Sequence, residues 1–339
     1  MKLIESDVKF LKQESGLKGL QEHIENCGRT CYKSENNIKE GSAEKFVNAM
    51  IKSHHGAMLE HGTVYLQDIS WDGSALEKYK NNQYSYYKSV YLEKEEVEDG
   101  NDYDISYKYG YYVTTNYRVL VENGWLDDLQ YLCEPTEHHE KRYTLRFICD
   151  RGVTHELVRH RKFSFAQESS RYCNYGSENK FGKELTFICP SWLDYKEMTE
   201  NIEKINGCTI SQQHSLLEKA LADNFAIEPK DEAEKKEWGI KRCEFMMILN
   251  MIESERYYMF LIEHGYKPQQ ARHVLLTMIK SEICMTGFAS DWRFFFDLRL
   301  FGKTGEPHPD MLRIAKIAKE KFEETGEWDN IMSYRSRFE

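Results

Sequence analysis

One segment in the middle of the chain concentrates side chains that can bind anions. Arg159, His160 and Arg161 are consecutive, seven residues separate Arg161 from Ser169, and Arg171 follows closely. Adjacent guanidinium groups repel each other, and each presents a fixed set of donors that suits two oxygens of a phosphate or carboxylate. Neighbouring helical residues point about 100° apart, so three such residues at a helix end can reach one extended polyanion. An isolated basic triplet would also suit a solvated helix end that favours the helix dipole.

Composition favours a small phosphorylated ligand over nucleic acid. The 339 residues carry 46 Lys and Arg against 56 Asp and Glu, a formal net charge of −10. General nucleic-acid binders are more often basic, because phosphate neutralisation drives their affinity. No apolar run approaches the length of a membrane span, and the N-terminus has no apolar signal core. Nine scattered cysteines without a Cys-x-x-Cys pattern predict reduced thiols in a cytoplasm and no structural zinc site.

The wider pattern of the basic segment resembles a known signature. The basic triplet, the seven-residue spacing, Ser169 and the pair Arg171-Tyr172 resemble the motif of the flavin-dependent thymidylate synthases, the ThyX family. There is no Gly-x-Gly in the chain, so a Rossmann or Walker A phosphate loop is not expected. The resemblance covers three stretches in the family's order, at about 20–67, 142–190 and 240–325.

The resemblance implies a role for each polar residue of the segment. Arg159, His160 and Arg161 would contact FAD, Arg159 would also reach the nucleotide, and Gln167 would face both ligands. The alternative to nucleotide binding by Glu156 is an ion pair with Arg159, one helical turn away. Activation of a serine as a nucleophile would need a base in hydrogen-bond reach, so ligand binding is favoured for Ser169. The residues implied to bind deoxyuridine monophosphate (dUMP) here are Glu156, Arg159, Gln167, Glu168, Ser169, Ser170 and Arg171.

A second polar cluster, His55, Glu60 and His61, precedes a predicted strand. Two histidines and a carboxylate suggest a metal, but their spacing differs from that of the helical His-Glu-x-x-His zinc site. A purely structural role is the other alternative to a ligand site. The resemblance implies that this segment lines the flavin pocket, with His55 as a cofactor contact and no metal. Ala57 stands where the family often has a hydroxyl residue.

Two arginines near the C-terminus complete the predicted site. The resemblance implies that Arg272 contacts dUMP and that Arg299 lies against its pyrimidine ring. A guanidinium at that position would stabilise negative charge that develops on the ring, so Arg299 is the predicted catalytic residue. The alternative is an aromatic core helix with Arg299 at its polar edge. Three further departures from the family pattern are Ala166, Phe288 and Phe294.

Hydrophobic periodicity and turn residues predict the elements. Ser42 and Asp150 are expected to cap helices, Gly265 to end one and Pro268 to begin one. Part of a Tyr-rich insertion at about 70–141, the charged residues 93–104, is expected to be an exposed loop. The fold class is α+β, a single domain (1–339) whose central, mostly antiparallel sheet is flanked by long helices. Helices are predicted at 42–54, 117–125, 210–225, 230–264, 268–276, 289–300 and 309–324, and strands at 62–67, 111–115, 142–149, 185–189 and 278–285.

The resemblance implies a complete reaction. It converts dUMP to thymidylate with methylenetetrahydrofolate as carbon donor, FAD as cofactor and NADPH as reductant, in a cytoplasmic homotetramer with shared active sites. Because reduced flavin carries the hard chemistry, no cysteine need be catalytic. The insertion is expected to cover the folate or NADPH entrance. Two rival interpretations remain, a nucleotide- or nucleic-acid-binding protein without catalysis, and a degenerate family member that binds flavin.

Overall fold

The computed structural model describes residues 1–71, 73–99, 102–206, 211–212, 215 and 232–338. The strands in chain order are β1 (Lys2–Ile4), β2 (Asp7–Leu11), β3 (Thr63–Trp71), β4 (Tyr86–Asp99), β5 (Asp102–Asn116), β6 (Arg142–Asp150), β7 (Ser164–Gln167), β8 (Thr186–Ile188) and β9 (Lys280–Phe288). The helices are α1 (Gly16–Thr30), α2 (Ser42–Lys52), α3 (Gly56–Leu59), α4 (Tyr117–Asn123), α5 (Arg151–Leu157), α6 (Glu178–Phe181), α7 (Tyr195–Asn206), α8 (Glu232–Glu263), α9 (Pro268–Ala271), α10 (Ala289–Arg299), α11 (Pro309–Glu324) and α12 (Trp328–Ser333).

A four-stranded antiparallel sheet in the order β2-β6-β9-β7 forms the centre. Alternate residues of a strand face opposite sides of the sheet. Leu145 and Phe147 of β6 are therefore buried with Trp292 of α10 and with α11 on one side. On the other side, Thr144 contacts His23 of α1 through a hydrogen bond of 2.9 Å. The predicted α+β class with a central antiparallel sheet is confirmed.

The Tyr-rich insertion contributes β4 and β5 to a second antiparallel sheet, in the order β3-β5-β4, whose strand β3 mostly precedes the insertion. The prediction of an exposed loop at 93–104 is wrong, because β4 and β5 pair as far as Asp99 and Asp102. Cross-strand side-chain pairs stabilise such a hairpin. For example, Lys108 Nζ of β5 lies 2.7 Å from Glu93 Oε1 of β4. The glutamates at 93 and 95 are exposed as predicted.

Most predicted helices and strands are present, with several corrections. The helix predicted at 268–276 ends at Ala271 and continues as a 3₁₀ turn. Gly41, not Ser42, is the N-cap residue of α2, and Ser42 Oγ accepts from the Lys39 N–H and donates to Glu25. β8 pairs in parallel with β1 and lies outside the central sheet. The helix predicted at 210–225 lies largely outside the described residues.

The long helix α8 confirms the predicted apolar stripe where its side chains are described. Ile248 and Ile252 are buried, and Leu249 packs against the same cluster. The side chain of Phe245 lies outside the described residues. Gly265 follows this helix with a left-handed φ of 85°, which glycine adopts without strain. In the part of the chain that the structure describes, no helix is long and apolar enough to cross a bilayer.

Candidate anion-binding active site

The basic triplet lies in the turn that follows α5. Asp150 begins this helix as predicted, because its Oδ1 accepts a hydrogen bond of 2.9 Å from the Val153 backbone N–H. The helix ends at Leu157, whose carbonyl accepts from the His160 N–H. This turn sends the three side chains apart: Arg159 and Arg161 are exposed, and His160 is buried.

His160 and Glu156 together hold Arg299 at the end of α10. Arg299 Nε donates to His160 Nε2 over 3.1 Å, and Arg299 Nη1 lies 2.8 Å from Glu156 Oε2. Because His160 Nε2 accepts a hydrogen bond, the ring is neutral with its proton on Nδ1. Burial, and then the Arg299 charge, lower the pKa of His160 to about 4. The spacing-based ion pair between Glu156 and Arg159 is wrong, since Glu156 pairs with Arg299.

A cleft of about 320 Å³, here called the anion cleft, opens beside this trio. Asp291 is the one carboxylate among its described lining residues. Five cationic side chains face a small apolar wall, an arrangement suited to a phosphate or diphosphate with a flat group attached. The cationic lining residues are Arg159, Arg161, Lys162, Arg299 and Arg337.

A second cavity, of about 370 Å³, is called the Arg272 cavity. It brings Arg272 and Ser170 together, two of the predicted dUMP-binding residues, and adds cationic groups from α5 and β9. Ser169 and Arg171 lie in the adjoining turn, where the Ser169 N–H donates to the Cys31 carbonyl and the Arg171 N–H to Ser169 Oγ. Further lining residues are Arg151, His155, Tyr175, Lys280 and Ser281.

Glu168 is buried beneath this cavity with both carboxylate oxygens engaged. Oε2 lies 2.9 Å from Lys280 Nζ, and Oε1 accepts 3.0 Å from the Tyr175 hydroxyl. Lys280 also lies 2.7 Å from Glu282, which pairs with Lys33. Burial alone would lower the pKa of Lys280, but the carboxylates of Glu168 and Glu282 raise it. These contacts support the cavity wall, and direct ligand contact by Glu168 stays a prediction.

Gln167, at the end of β7, is oriented by two hydroxyl groups. Its Nε2 donates to Thr154 Oγ1 over 2.9 Å and to Ser281 Oγ over 3.1 Å. These bonds fix the amide plane between α5 and β9, and they use the donor side of the amide. Its predicted contacts with ligands would therefore use Oε1.

A third cavity, of about 410 Å³, lies on the other side of Glu156. Asp150, Asp310, Trp192 and His308 also line it. The Glu156–Arg299 ion pair therefore joins a residue that lines this acidic cavity to one that lines the anion cleft. α5 lines the acidic cavity and the Arg272 cavity.

The predicted residue His55 lies apart from these cavities. It is exposed at the N-cap of α3. His61 of the same cluster is buried, and its Nδ1 lies 2.7 Å from Thr286 Oγ1. Among the described residues, no group of three or more His, Cys, Asp or Glu side chains is arranged to hold a metal ion. The flavin contact of His55 stays a prediction.

Sequence reasoning missed several residues of the site. Lys280, Tyr175 and Arg151 line the Arg272 cavity, and Arg337 lines the anion cleft. Lys280 could have been found, because Lys-Ser-Glu interrupts the otherwise apolar strand predicted at 278–285, and alternation places Lys280 and Glu282 on one face. No local pattern distinguishes Arg337 from other surface arginines.

Because His160 is buried and neutral, we expect the stability of the fold to depend on pH. The pKa of an ordinary histidine is 6.5 and that of the folded ring is about 4, so in this window the unfolded chain binds more protons. The free energy of unfolding should therefore fall as pH falls, by up to about 1.4 kcal/mol per pH unit from this residue. In His160→Gln, whose amide oxygen can still accept from Arg299, the slope measured by urea unfolding should be smaller by that amount. An unchanged slope would contradict a neutral, buried His160.

This pH experiment has an internal control. His23 and His61 are also buried, and burial lowers their pKa values to about 4 and about 3. They contribute with the same sign, so the His160→Gln protein should keep part of its pH dependence. A second substitution, His23→Gln, should then reduce the remaining slope.

The fold and the cavities define an α+β protein with two cavities lined by cationic side chains. Residues 133–325 match the family model described as thymidylate synthase complementing protein. This match spans more than half of the chain and includes Arg159, Arg272 and Arg299. The chain therefore belongs to this family, as the resemblance of its basic segment predicted.

The individual relatives either match a smaller part of the chain than the family model does or match it at low sequence identity. A flavin-dependent thymidylate synthase of Corynebacterium efficiens is 29% identical over 165 residues, which cover 48% of this chain and 50% of the relative. The chain thus matches about half the length of that curated relative. The UMP/dUMP methylase PolB from Streptomyces cacaoi, bound with 5-Br dUMP, gives a TM-score of 0.39 at 13% identity over 96% of this chain and 93% of that one. With 5-Br UMP bound, PolB gives 0.40 at 11% identity over 98% and 96%.

Proposed function

We propose that this protein is a flavin-dependent thymidylate synthase that methylates dUMP. In this proposal methylenetetrahydrofolate would be the carbon donor, FAD the cofactor and NADPH the reductant. The observation that carries the proposal is the position of Arg299, which Glu156 and His160 of the family's signature segment hold at the anion cleft. Membership of the thymidylate synthase complementing family supports the same activity.

The donor set of the anion cleft fits FAD. A diphosphate requires several donors with positive charge, and Arg159, Arg161 and Lys162 provide them within one turn. The Phe294 and Leu298 side chains line the same cleft and add apolar surface beside these donors. When bound, FAD would supply the redox chemistry. Phe294 is a departure from the family pattern, yet an aromatic ring is compatible with this ligand.

The Arg272 cavity fits the phosphate of dUMP. Arg272, Arg151 and Lys280 contribute positive charge, and Ser170 contributes a hydroxyl group. The exposed Arg171 lies at the end of the same turn as Ser170. We assign phosphate binding to Arg272, Ser169, Ser170 and Arg171, and we assign orientation of Gln167 to Thr154 and Ser281.

Arg299 is the residue to which we assign activation of the pyrimidine ring. A fixed guanidinium can stabilise negative charge on the ring oxygens without reorganisation. Its contacts with Glu156 and His160 use Nε and Nη1, so a ligand can accept from the second terminal nitrogen, Nη2. A neutral His160 is important here, because a charged ring could not accept the Arg299 hydrogen bond.

An absorption spectrum of the purified protein tests this function. We expect a flavin spectrum that bleaches with NADPH under anaerobic conditions, and a spectral response to dUMP. Protein reconstituted with FAD should then convert dUMP to thymidylate when methylenetetrahydrofolate is added. A colourless protein that takes up no added FAD would overturn the synthase assignment. Bound flavin without any turnover would support the alternative of a degenerate, flavin-binding family member.

A further inference from the structure

The residues that follow α12 run back along α10 and are called the C-terminal tail (334–338). Ser336 is buried, and its hydroxyl donates to Asp297 Oδ2 over 2.7 Å. Arg337 Nη2 donates to Asp291 Oδ1 over 3.0 Å. The Phe338 ring stacks on Phe294 with centroids 5.9 Å apart. Three different kinds of contact therefore attach the tail to one helix.

These contacts place one guanidinium at the anion cleft. The Arg337 side chain lies 4.4 Å above the centroid of the Phe294 ring, and both residues line the cleft. The side chain of Asp291 is only 7% exposed, whereas that of Arg337 is 46% exposed. Arg337 is thus fixed by a buried carboxylate and an aromatic face while much of its guanidinium remains accessible.

Arg337 also changes the electrostatics of the cleft. Asp291 lines the same space, and an unpaired carboxylate there would repel an anionic ligand. Pairing with Arg337 neutralises that charge, and the N–H groups not directed at Asp291 can donate to a ligand. The tail therefore contributes a donor and also screens the one carboxylate among the described lining residues.

We propose that the C-terminal tail supplies Arg337 as a further binding residue for a diphosphate group in the anion cleft. The diphosphate is the chemical class that this set of separated, fixed cations recognises. Its assignment to FAD rests on the proposed function. Asp291, Phe294 and Ser336 act as positioning residues, because they touch the tail and hold Arg337 in place.

Isothermal titration with inorganic pyrophosphate and, separately, with FAD tests this role. Loss of one charge-assisted contact should weaken both ligands about 10- to 100-fold in Arg337→Ala. Arg337→Lys keeps the positive charge but loses the planar guanidinium that lies over Phe294. The affinity of this variant for both ligands should therefore lie between those of wild type and Arg337→Ala. Arg335→Ala removes the same charge from the tail outside the cleft lining and should change affinity less than about twofold.

A double variant separates the two effects of Arg337. In Arg337→Ala with Asp291→Asn, the carboxylate is also removed, so part of the lost affinity should return. Wild-type affinity for pyrophosphate in Arg337→Ala would overturn the proposal, and so would equal losses in Arg337→Ala and Arg335→Ala. A wild-type protein that binds pyrophosphate but not FAD would overturn the flavin function and leave the role of Arg337 to be decided by the variants. Binding of neither ligand by wild type would overturn both.

Discussion

Arg299→Ala should lower the turnover number for dUMP methylation about 100- to 1000-fold, which corresponds to about 3–4 kcal/mol of activation free energy. Arg299 is fixed by His160 and Glu156 over 3.1 Å and 2.8 Å, so its donors need no reorganisation when charge develops on the pyrimidine ring. Four other cationic side chains line the anion cleft, and FAD should therefore remain bound. Steady-state kinetics and flavin absorbance on the same preparation measure both effects.

Glu156→Gln is the matched control for this substitution. The glutamine oxygen can still accept from Arg299, so the guanidinium should stay in position and turnover should fall much less than in Arg299→Ala. Full activity of Arg299→Ala would remove Arg299 from the mechanism. Loss of FAD together with activity would instead indicate that Arg299 is mainly a cofactor contact.

Lys280→Ala should lower the free energy of unfolding by about 3–5 kcal/mol. The side chain of Glu168 is 0% exposed, so removal of the ammonium group leaves a buried carboxylate without its charge partner. Glu282 is affected less, because Lys33 Nζ remains 2.8 Å from it. The two lysines, after an opposing effect of burial, lower the pKa of Glu282 to about 2. Urea unfolding at neutral pH measures the change.

Two comparisons show whether the uncompensated charge causes this loss. Adding Glu168→Gln to Lys280→Ala removes the buried charge, so part of the stability should return. Lys183→Ala breaks an exposed ion pair, in which the two side chains are 48% and 54% exposed, and should destabilise the fold far less than Lys280→Ala. If Lys280→Ala is no more destabilising than Lys183→Ala, the buried network does not stabilise the fold as described.

The functional segment could be predicted from sequence because its residues are close together in the chain. The basic triplet, Ser170 and Arg171 lie in two short turns, and their spacing alone indicates an anion site. The partner of Glu156 could not be predicted in this way. Helical spacing favours Arg159, but α5 ends at Leu157 and the turn directs Arg159 to solvent. The actual partner, Arg299, is 143 positions away in the chain.

Elements of the fold also divide into those that a local sequence pattern determines and those that depend on packing between distant residues. The strand β6 and the helices α10 and α11 have clear periodicity, and their predicted positions are confirmed. The helix α1 was missed because three glycines lower its intrinsic helix propensity. Packing explains why residue 28 is glycine, because an added Cβ would lie 2.5 Å from the Phe46 ring of α2. Tertiary contact thus overrides propensity, and a local pattern cannot reveal it.

The pairing of β6 with β9 has a consequence for the order of folding. Thr144 and Thr286 bridge these strands although they are 142 positions apart in the chain. The β4–β5 hairpin is local and should form within about 1–10 μs, whereas distant pairing requires closure of a long loop and is slower. α10 begins immediately after β9, so Arg299 can meet Glu156 only once the central ladder closes. In a refolding experiment, ligand-binding capacity should therefore arise in the slow phase, after most of the hairpin signal has developed.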